Sequence, residues 1–194
     1  MAKNTVSQII EIGESVECLA GRDVRKKVMQ NGARITASTK PEKVSEWVKG
    51  AMERLDSLVD PDTRNKIMMH CGANCAAANK RMVGAARARR KKHKTVDAFL
   101  DAEQKHPPAG TRLVREGGAL RQFYTPRSFT RPMRCYCSLL RGLPESEAVS
   151  STYCQCSRGF VRKYWESVLE RPVSVDLVKS CVSGADECEF LIRL

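Results

Sequence analysis

The stretch TRLVREGGALRQFY, residues 111–124, is where the chain changes period. Gly117-Gly118 parts two short runs of alternating apolar and polar residues, the pattern of a β-hairpin closed by a two-residue turn. A second alternating pair closes the chain. Val173, Val175 and Leu177 share one face, Ser183-Gly184-Ala185-Asp186 turns, and Cys188, Phe190, Ile192 and Leu194 alternate on the return. Between the hairpins, residues 132–140 read as a third strand and 141–144 as a loop. Residues 153–169 read as a helix with Phe160, Tyr164, Val168 and Leu169 inward.

Upstream of Pro107-Pro108 the spacing is helical. Val6, Ile9, Ile10, Val16 and Leu19 fall near one face. After Pro41, the residues Val44, Trp47, Val48, Ala51, Met52, Leu55, Leu58 and Val59 form a continuous apolar stripe. Asp60-Pro61-Asp62 stops that helix and starts the next, since proline and negative charge both suit a first turn. The next helix is expected to run from about 62 towards 92, weakened near its middle by Gly72, and Thr95 caps a short one through Phe99 and Leu100. The fold class expected is α+β: an antiparallel sheet of four or five strands, helices on one face, and a helical N-terminal half. Residues 1–108 and 109–194 are expected to pack as one unit.

A chain of 194 residues buries a core without staples, so its nine cysteines are not needed for stability. The N-terminal MAKNTVSQIIEIGES is too polar for a secretory signal, and no apolar run approaches the roughly 18 residues of a membrane span. A cytoplasmic location is expected, where thiols stay reduced and cysteines serve metal binding, catalysis or packing. The net charge is +12, and eight basic residues with no acidic one lie in residues 80–94: Lys80, Arg81, Arg87, Arg89, Arg90, Lys91, Lys92 and Lys94. No aromatic residue for base stacking lies there, so a solvated or partner-binding face is preferred over nucleic acid.

Six cysteines come in close pairs. Cys71 and Cys75 share a face if helical, and Cys135 and Cys137 share one if extended. Cys154 and Cys156 repeat the two-residue spacing at the start of a helix. Soft thiolates favour zinc, iron–sulfur clusters or copper(I), and the six are the candidate metal ligands. His70 is an alternative ligand, and Arg134, Arg158 and Arg162 are candidates to lower thiol pKa values or hold an anionic ligand. Cys18, Cys181 and Cys188 read as core-filling residues.

Thr152-Tyr153-Cys154-Gln155-Cys156-Ser157-Arg158-Gly159-Phe160-Val161, with Trp165, Arg171-Pro172-Val173 and Ser183-Gly184-Ala185-Asp186-Glu187-Cys188-Glu189-Phe190, resembles the vinyl-4-reductase-like domain group. The same residues are similar to the L-2-amino-thiazoline-4-carboxylic acid hydrolase-like proteins. The resemblance covers residues 133–194. It implies an antiparallel sheet, a ligand pocket lined by helices, and roles for Cys154, Cys156 and Cys188 as metal ligands or, in the hydrolase-like relatives, for a catalytic cysteine.

The leading function expected is therefore a cysteine-ligated metal site, zinc or iron–sulfur, with a pocket for a small-molecule ligand. The alternative is a thiol-dependent hydrolase of a cyclic amidine or amide, with Cys154 or Cys156 attacking and His70 as base. A further alternative is nucleic-acid binding through residues 80–94. No membrane partner is expected, and a homodimer is left open.

Overall fold

The computed structural model describes residues 4–126 and 134–194. Among the described residues seven α-helices and a four-stranded antiparallel sheet make an α+β fold with a helical N-terminal half. Helix α1, Thr5–Ala20, begins on Asn4, whose side chain accepts from the backbone N–H of Ser7 at 2.8 Å. Helix α2, Arg22–Val28, leads to α3, Pro41–Leu58, which has proline in its first turn as expected. Helix α4, Pro61–Ala78, is capped by the Asp60 carboxylate, which accepts from Asp62 and Thr63 at 3.1 and 3.0 Å.

The single helix expected over 62–92 is two. Helix α5, Lys80–Arg90, starts after a break at Asn79, whose side-chain amide donates to the Cys75 carbonyl at 2.8 Å. That bond takes an acceptor the helical ladder would have used. Helix α6, Val96–Lys105, has Thr95 accepting from Ala98 at 3.1 Å. It is tied to α5 by a two-pronged ion pair, Arg89 Nε and Nη2 to Glu103 at 2.7 and 2.9 Å, and the Glu103 side chain is only 5% exposed.

Strands β1, Thr111–Glu116, and β2, Ala119–Tyr124, form the first hairpin in the expected register, Glu116 facing Ala119 and Thr111 facing Tyr124. Gly117 takes φ 58°, the left-handed conformation that the tight turn requires. Helix α7, Gln155–Leu169, follows a 3-10 turn at Ser151–Cys154. Strands β3, Ser174–Lys179, and β4, Cys188–Arg193, form the closing hairpin, and the sheet order is β1-β2-β4-β3. The β3–β4 register slips between Leu177 and Lys179, a local bulge.

The strand expected at 132–140 is not one. Pro132 and Met133 lie outside the described residues. From Arg134 the chain is irregular, ending in a 3-10 turn at Ser138–Leu140. Leu139 and Leu140 are buried in the helical core, not in the sheet, and the Ser45 hydroxyl donates to the Leu139 carbonyl at 3.0 Å. Packing against α3 overrides the local strand pattern.

The core has two clusters. One gathers Ile12, Val16, Val48, Met52, Leu55 and Met68 from α1, α3 and α4. The other joins Leu120, Phe190 and Ile192 of the sheet to Phe99 of α6 and Trp165 and Val168 of α7. Each such buried side chain contributes roughly 1.5–3 kcal/mol. Cys18, expected inside, is exposed.

Helix α7 takes part in both clusters and crosses α4 at unusually close range. A Cβ on Gly72 would lie 1.8 Å from the Cys156 carbonyl oxygen, and one on Gly159 would lie 2.0 Å from that of Met69. Gly72, read from sequence as a weakness of its helix, is a packing requirement. Gly159→Ala is expected to destabilise the protein by about 3 kcal/mol or more in urea unfolding, because backbone must move. Gly84→Ala, with nothing within 4 Å of the added carbon, is expected to stabilise by up to about 1 kcal/mol through helix propensity alone.

Candidate functional site

The α4–α7 crossing sets the start of α7 so that the 3-10 turn before it delivers Tyr153 and Cys154, and its own first turn Ser157, to a small cavity of ≈ 10 Å³. The facing wall is Tyr124 at the end of β2 with Cys188 and Phe190 of β4. Ser180 and Val182, in and beside the 3-10 turn at Cys181–Ser183, close one side, and Arg134 and Cys135 close another. Tyr124 stacks on Phe190, ring centres 5.5 Å apart, and packs against Tyr136 at 5.6 Å.

The polar groups around the cavity are bonded to one another. The Tyr153 hydroxyl donates to Cys137 Sγ at 3.1 Å, and the backbone N–H of Cys137 donates to Cys135 Sγ at 3.4 Å. Cys154 Sγ shares a hydrogen bond with Ser180 Oγ at 3.2 Å, and Ser180 Oγ accepts from Ser183 N at 3.2 Å. Cys188 Sγ donates to Cys181 Sγ at 3.7 Å. The Arg134 guanidinium is spent on the backbone: Nη1 donates to the carbonyls of Pro144, Glu145 and Glu147, and Nη2 to that of Val182 at 2.6 Å.

Burial raises the thiols. It pushes Cys135 and Cys156 well above the ordinary cysteine value, and for Cys156 the neighbouring sulfurs of Cys71, Cys137, Cys75 and Cys135 add to it. Cys137 and Cys154 are also raised by burial, partly offset by their bonds to Tyr153 and Ser180. Cys181 is pushed up to about 12 by burial and by Cys188. Tyr124 and Tyr153 are raised by burial as well.

The paired cysteines thus approach one another, with Cys71, Cys75, Cys135 and Cys137 all close enough to act on Cys156. Their sulfurs do not converge on a point. Cys154 ends a 3-10 turn and Cys156 opens α7, so two residues of helical rotation turn them apart. Cys71 Sγ is 3.9 Å from the Glu11 carbonyl, and Cys75 Sγ is 3.9 Å from the Asn79 amide. Among the described residues no group of three or more His, Cys, Asp or Glu is placed to hold a metal ion. The zinc or iron–sulfur site is corrected accordingly. Its ligands would have to be deprotonated and gathered, whereas burial raises Cys135, Cys137, Cys154 and Cys156 and no three candidate ligands are grouped among the described residues.

The thiol hydrolase is corrected as well. A nucleophilic cysteine needs a lowered pKa or an adjacent base, and burial drives Cys154 and Cys156 the other way. His70 is not aimed at them: its Nδ1 is bonded to Ser15 Oγ at 2.9 Å. Arg158 donates to the Val175 carbonyl and pairs with Asp176 at 3.4 Å, holding β3, and Arg162 pairs with Glu166 on the surface of α7 at 2.8 Å. Of the basic segment, Arg87 pairs with Glu170, Arg89 with Glu103, and Arg90 donates to the His93 carbonyl at 2.8 Å.

Ser157 and Ser180 were not singled out by sequence. Ser180 carries a recognisable signal, since it caps the 3-10 turn three residues before Ser183. Among the described residues no helix is long and apolar enough to cross a membrane.

No curated protein matches the sequence. Three solved structures are similar along nearly the whole chain, all of H-NOX proteins from Shewanella oneidensis. One in the Fe(II)NO state covers 98% of this chain and 97% of its own at 13% identity, with a TM-score of 0.46. A triple mutant in the Fe(II) state covers 99% and 95% at 14% identity and TM-score 0.48. An NMR structure of the Fe(II)CO state covers 99% and 98% at 14% identity and TM-score 0.46. At such identities and scores none assigns its iron to this chain.

The vinyl-4-reductase-like and hydrolase-like resemblance is likewise corrected, because the family model that matches is a different one and extends far beyond residues 133–194. Its match takes in residues 3–194, and the chain therefore belongs to DUF6144, a family of unknown function.

Proposed function

We propose that the chain is a binding module for a small neutral molecule, held in the cavity between the start of α7 and the ends of β2 and β4. The observation that carries this reading is the make-up of the cavity wall. It is lined by the hydroxyl residues Tyr124, Tyr153, Ser157 and Ser180 and the thiol residues Cys135, Cys154 and Cys188, several of which are bonded to one another. Among the described residues its one charged lining residue, Arg134, has its guanidinium engaged by backbone carbonyls. A charged ligand would lose its hydration there and gain no free counter-charge, whereas a neutral one finds donors and acceptors in an otherwise apolar space. The ≈ 10 Å³ of free volume suits about one water-sized molecule, or a diatomic.

In this reading Cys135 and Cys154 touch the ligand, and Cys137 acts through Tyr153. Cys71, Cys75 and Cys156 back the wall on the α4–α7 side, Arg134 locks the loop that closes it, and His70, Arg158 and Arg162 hold the surrounding frame. The helical part, residues 1–108, and the part from 109 to 194 act as one unit, a view supported by α7 entering both cores. Protonated thiols favour reversible capture over covalent attack.

Carbon monoxide, a neutral diatomic probe, tests the site. Titrated into the reduced protein, it is expected to shift the ring signals of Tyr124 and Tyr153 saturably in NMR spectra. Val182→Leu, which fills the cavity, should abolish the shifts while leaving the fold intact. A linear, unsaturating response, or saturation undiminished in the variant, would sink the proposal.

The neutral wall also sets a pH dependence. The raised cysteines and tyrosines stay protonated in the folded state while the unfolded chain ionises near 9 for its thiols and 10 for its tyrosines. Their contribution to stability is complete below about pH 8 and is lost as pH climbs towards the folded values. The urea midpoint is expected to fall steadily between about pH 8.5 and 11. Constant stability across that range would show that the wall is already ionised or open to water.

A further inference from the structure

A second cleft lies on the opposite end of α7, where α5 ends against it. It measures ≈ 180 Å³ and is lined by Arg87, Arg90, Lys91, Val168, Leu169 and Glu170. We infer that this cleft is a binding site for a small polyvalent oxyanion of the phosphoryl class, separate from the thiol-lined cavity.

Three cations face one carboxylate around it, and the floor is apolar, with Val168 1% and Leu169 7% exposed. Charges set over such a floor interact more strongly than in open water. The neighbouring Arg89 is neutralised by the buried Glu103, which leaves Arg87, Arg90 and Lys91 as the cations of the cleft. The one carboxylate is already used as an anion would be: Glu170 Oε1 accepts from Arg87 Nη2 at 2.5 Å. Its backbone sits at φ 55°, a left-handed conformation uncommon outside glycine, and this fixes the carboxylate's origin at the end of α7.

Arg90 supplies the second observation. Its Nη1 donates to the His93 carbonyl, but its Nε is shielded from water and has no hydrogen-bond partner. The guanidinium also lies over the Phe99 ring, 6.0 Å from its centre, so Nε is enclosed by protein, and an oxyanion in the cleft would engage the remaining donors of the same group. The pull of the α5 C-terminus on cations accounts for their presence but not for the unshared donor. The cleft exceeds the roughly 150 Å³ cavity that admits a benzene ring, so a phosphoryl group fits with room to spare.

Inorganic pyrophosphate is the probe, titrated into the full chain at constant ionic strength and followed by amide NMR shifts of residues 168–170. Saturable binding is expected. Arg87→Ala and Arg90→Ala should each weaken it roughly tenfold, as loss of a charge-assisted contact does. Glu170→Gln should tighten it by about threefold or more, since the resident competitor is gone. Lys80→Ala, which alters a basic residue outside the cleft, should leave it unchanged. Vesicles carrying phosphatidic acid, read in the same variants, separate a lipid headgroup from a soluble anion, and either one with this residue dependence supports the site. The inference is overturned if pyrophosphate does not saturate or if Glu170→Gln fails to tighten. It is equally overturned if Lys80→Ala weakens binding as much as Arg87→Ala, the behaviour of a diffuse basic surface that a polynucleotide would also show.

Discussion

Two helix backbones touching with no side chain between them is the constraint on which the arrangement rests. Gly72 of α4 lies against the Cys156 carbonyl, and Gly159 of α7 lies against Met69. Because the glycines are reciprocal, neither helix can roll or slide without driving backbone into backbone. Helix α7 is thereby fixed at its N-terminal end, where Tyr153, Cys154 and Ser157 reach the cavity. Farther along, Trp165 and Val168 anchor it in the sheet-side core, and Trp165 Nε1 donates to Gln122 Oε1 at 2.8 Å. One helix thus transmits the position of the helical half to the sheet.

The thiols owe their character to the same contact. Close approach of α4 and α7 shields Cys156, which is half-buried, and the sulfurs of Cys71 and Cys75 on the facing helix raise its thiol further. Crowded, dry thiols stay protonated, and protonated thiols behave as small polarisable packing groups with a weak donor. A cluster that in an open, basic setting would gather a metal becomes in this setting a neutral lining. The difference between the two outcomes is burial, not composition.

Much of the fold is legible from residue order. The hairpin around Gly117-Gly118, the capping at Asp60 and Thr95, and the apolar alternation of Cys188, Phe190 and Ile192 are local signals that the structure keeps. What was not legible is tertiary. Asn79 breaks a helix through a bond to Cys75 that no periodicity announces. Leu139 and Leu140 leave the strand pattern because α3 offers them a core. Of the paired cysteines, Cys135 and Cys154 line the cavity, but spacing along the chain says nothing of pKa or of where a sulfur turns. Ser180, Ser157 and the cleft at Glu170 depend on contacts between elements far apart in sequence.

The slipped register between Leu177 and Lys179 has a bearing on how copies of the molecule coexist. Among the described residues strand β3 is an outer strand of the sheet, and Val178 on it is 52% exposed, an apolar tooth on that edge. A straight strand of that kind would template pairing with a neighbour. The bulge bends it, and Lys179, drawn inward to Glu187 and Glu189 at 3.4 and 3.6 Å, sets charge beside the bend. At high concentration the sheet is therefore guarded along this margin against stacking into ribbons.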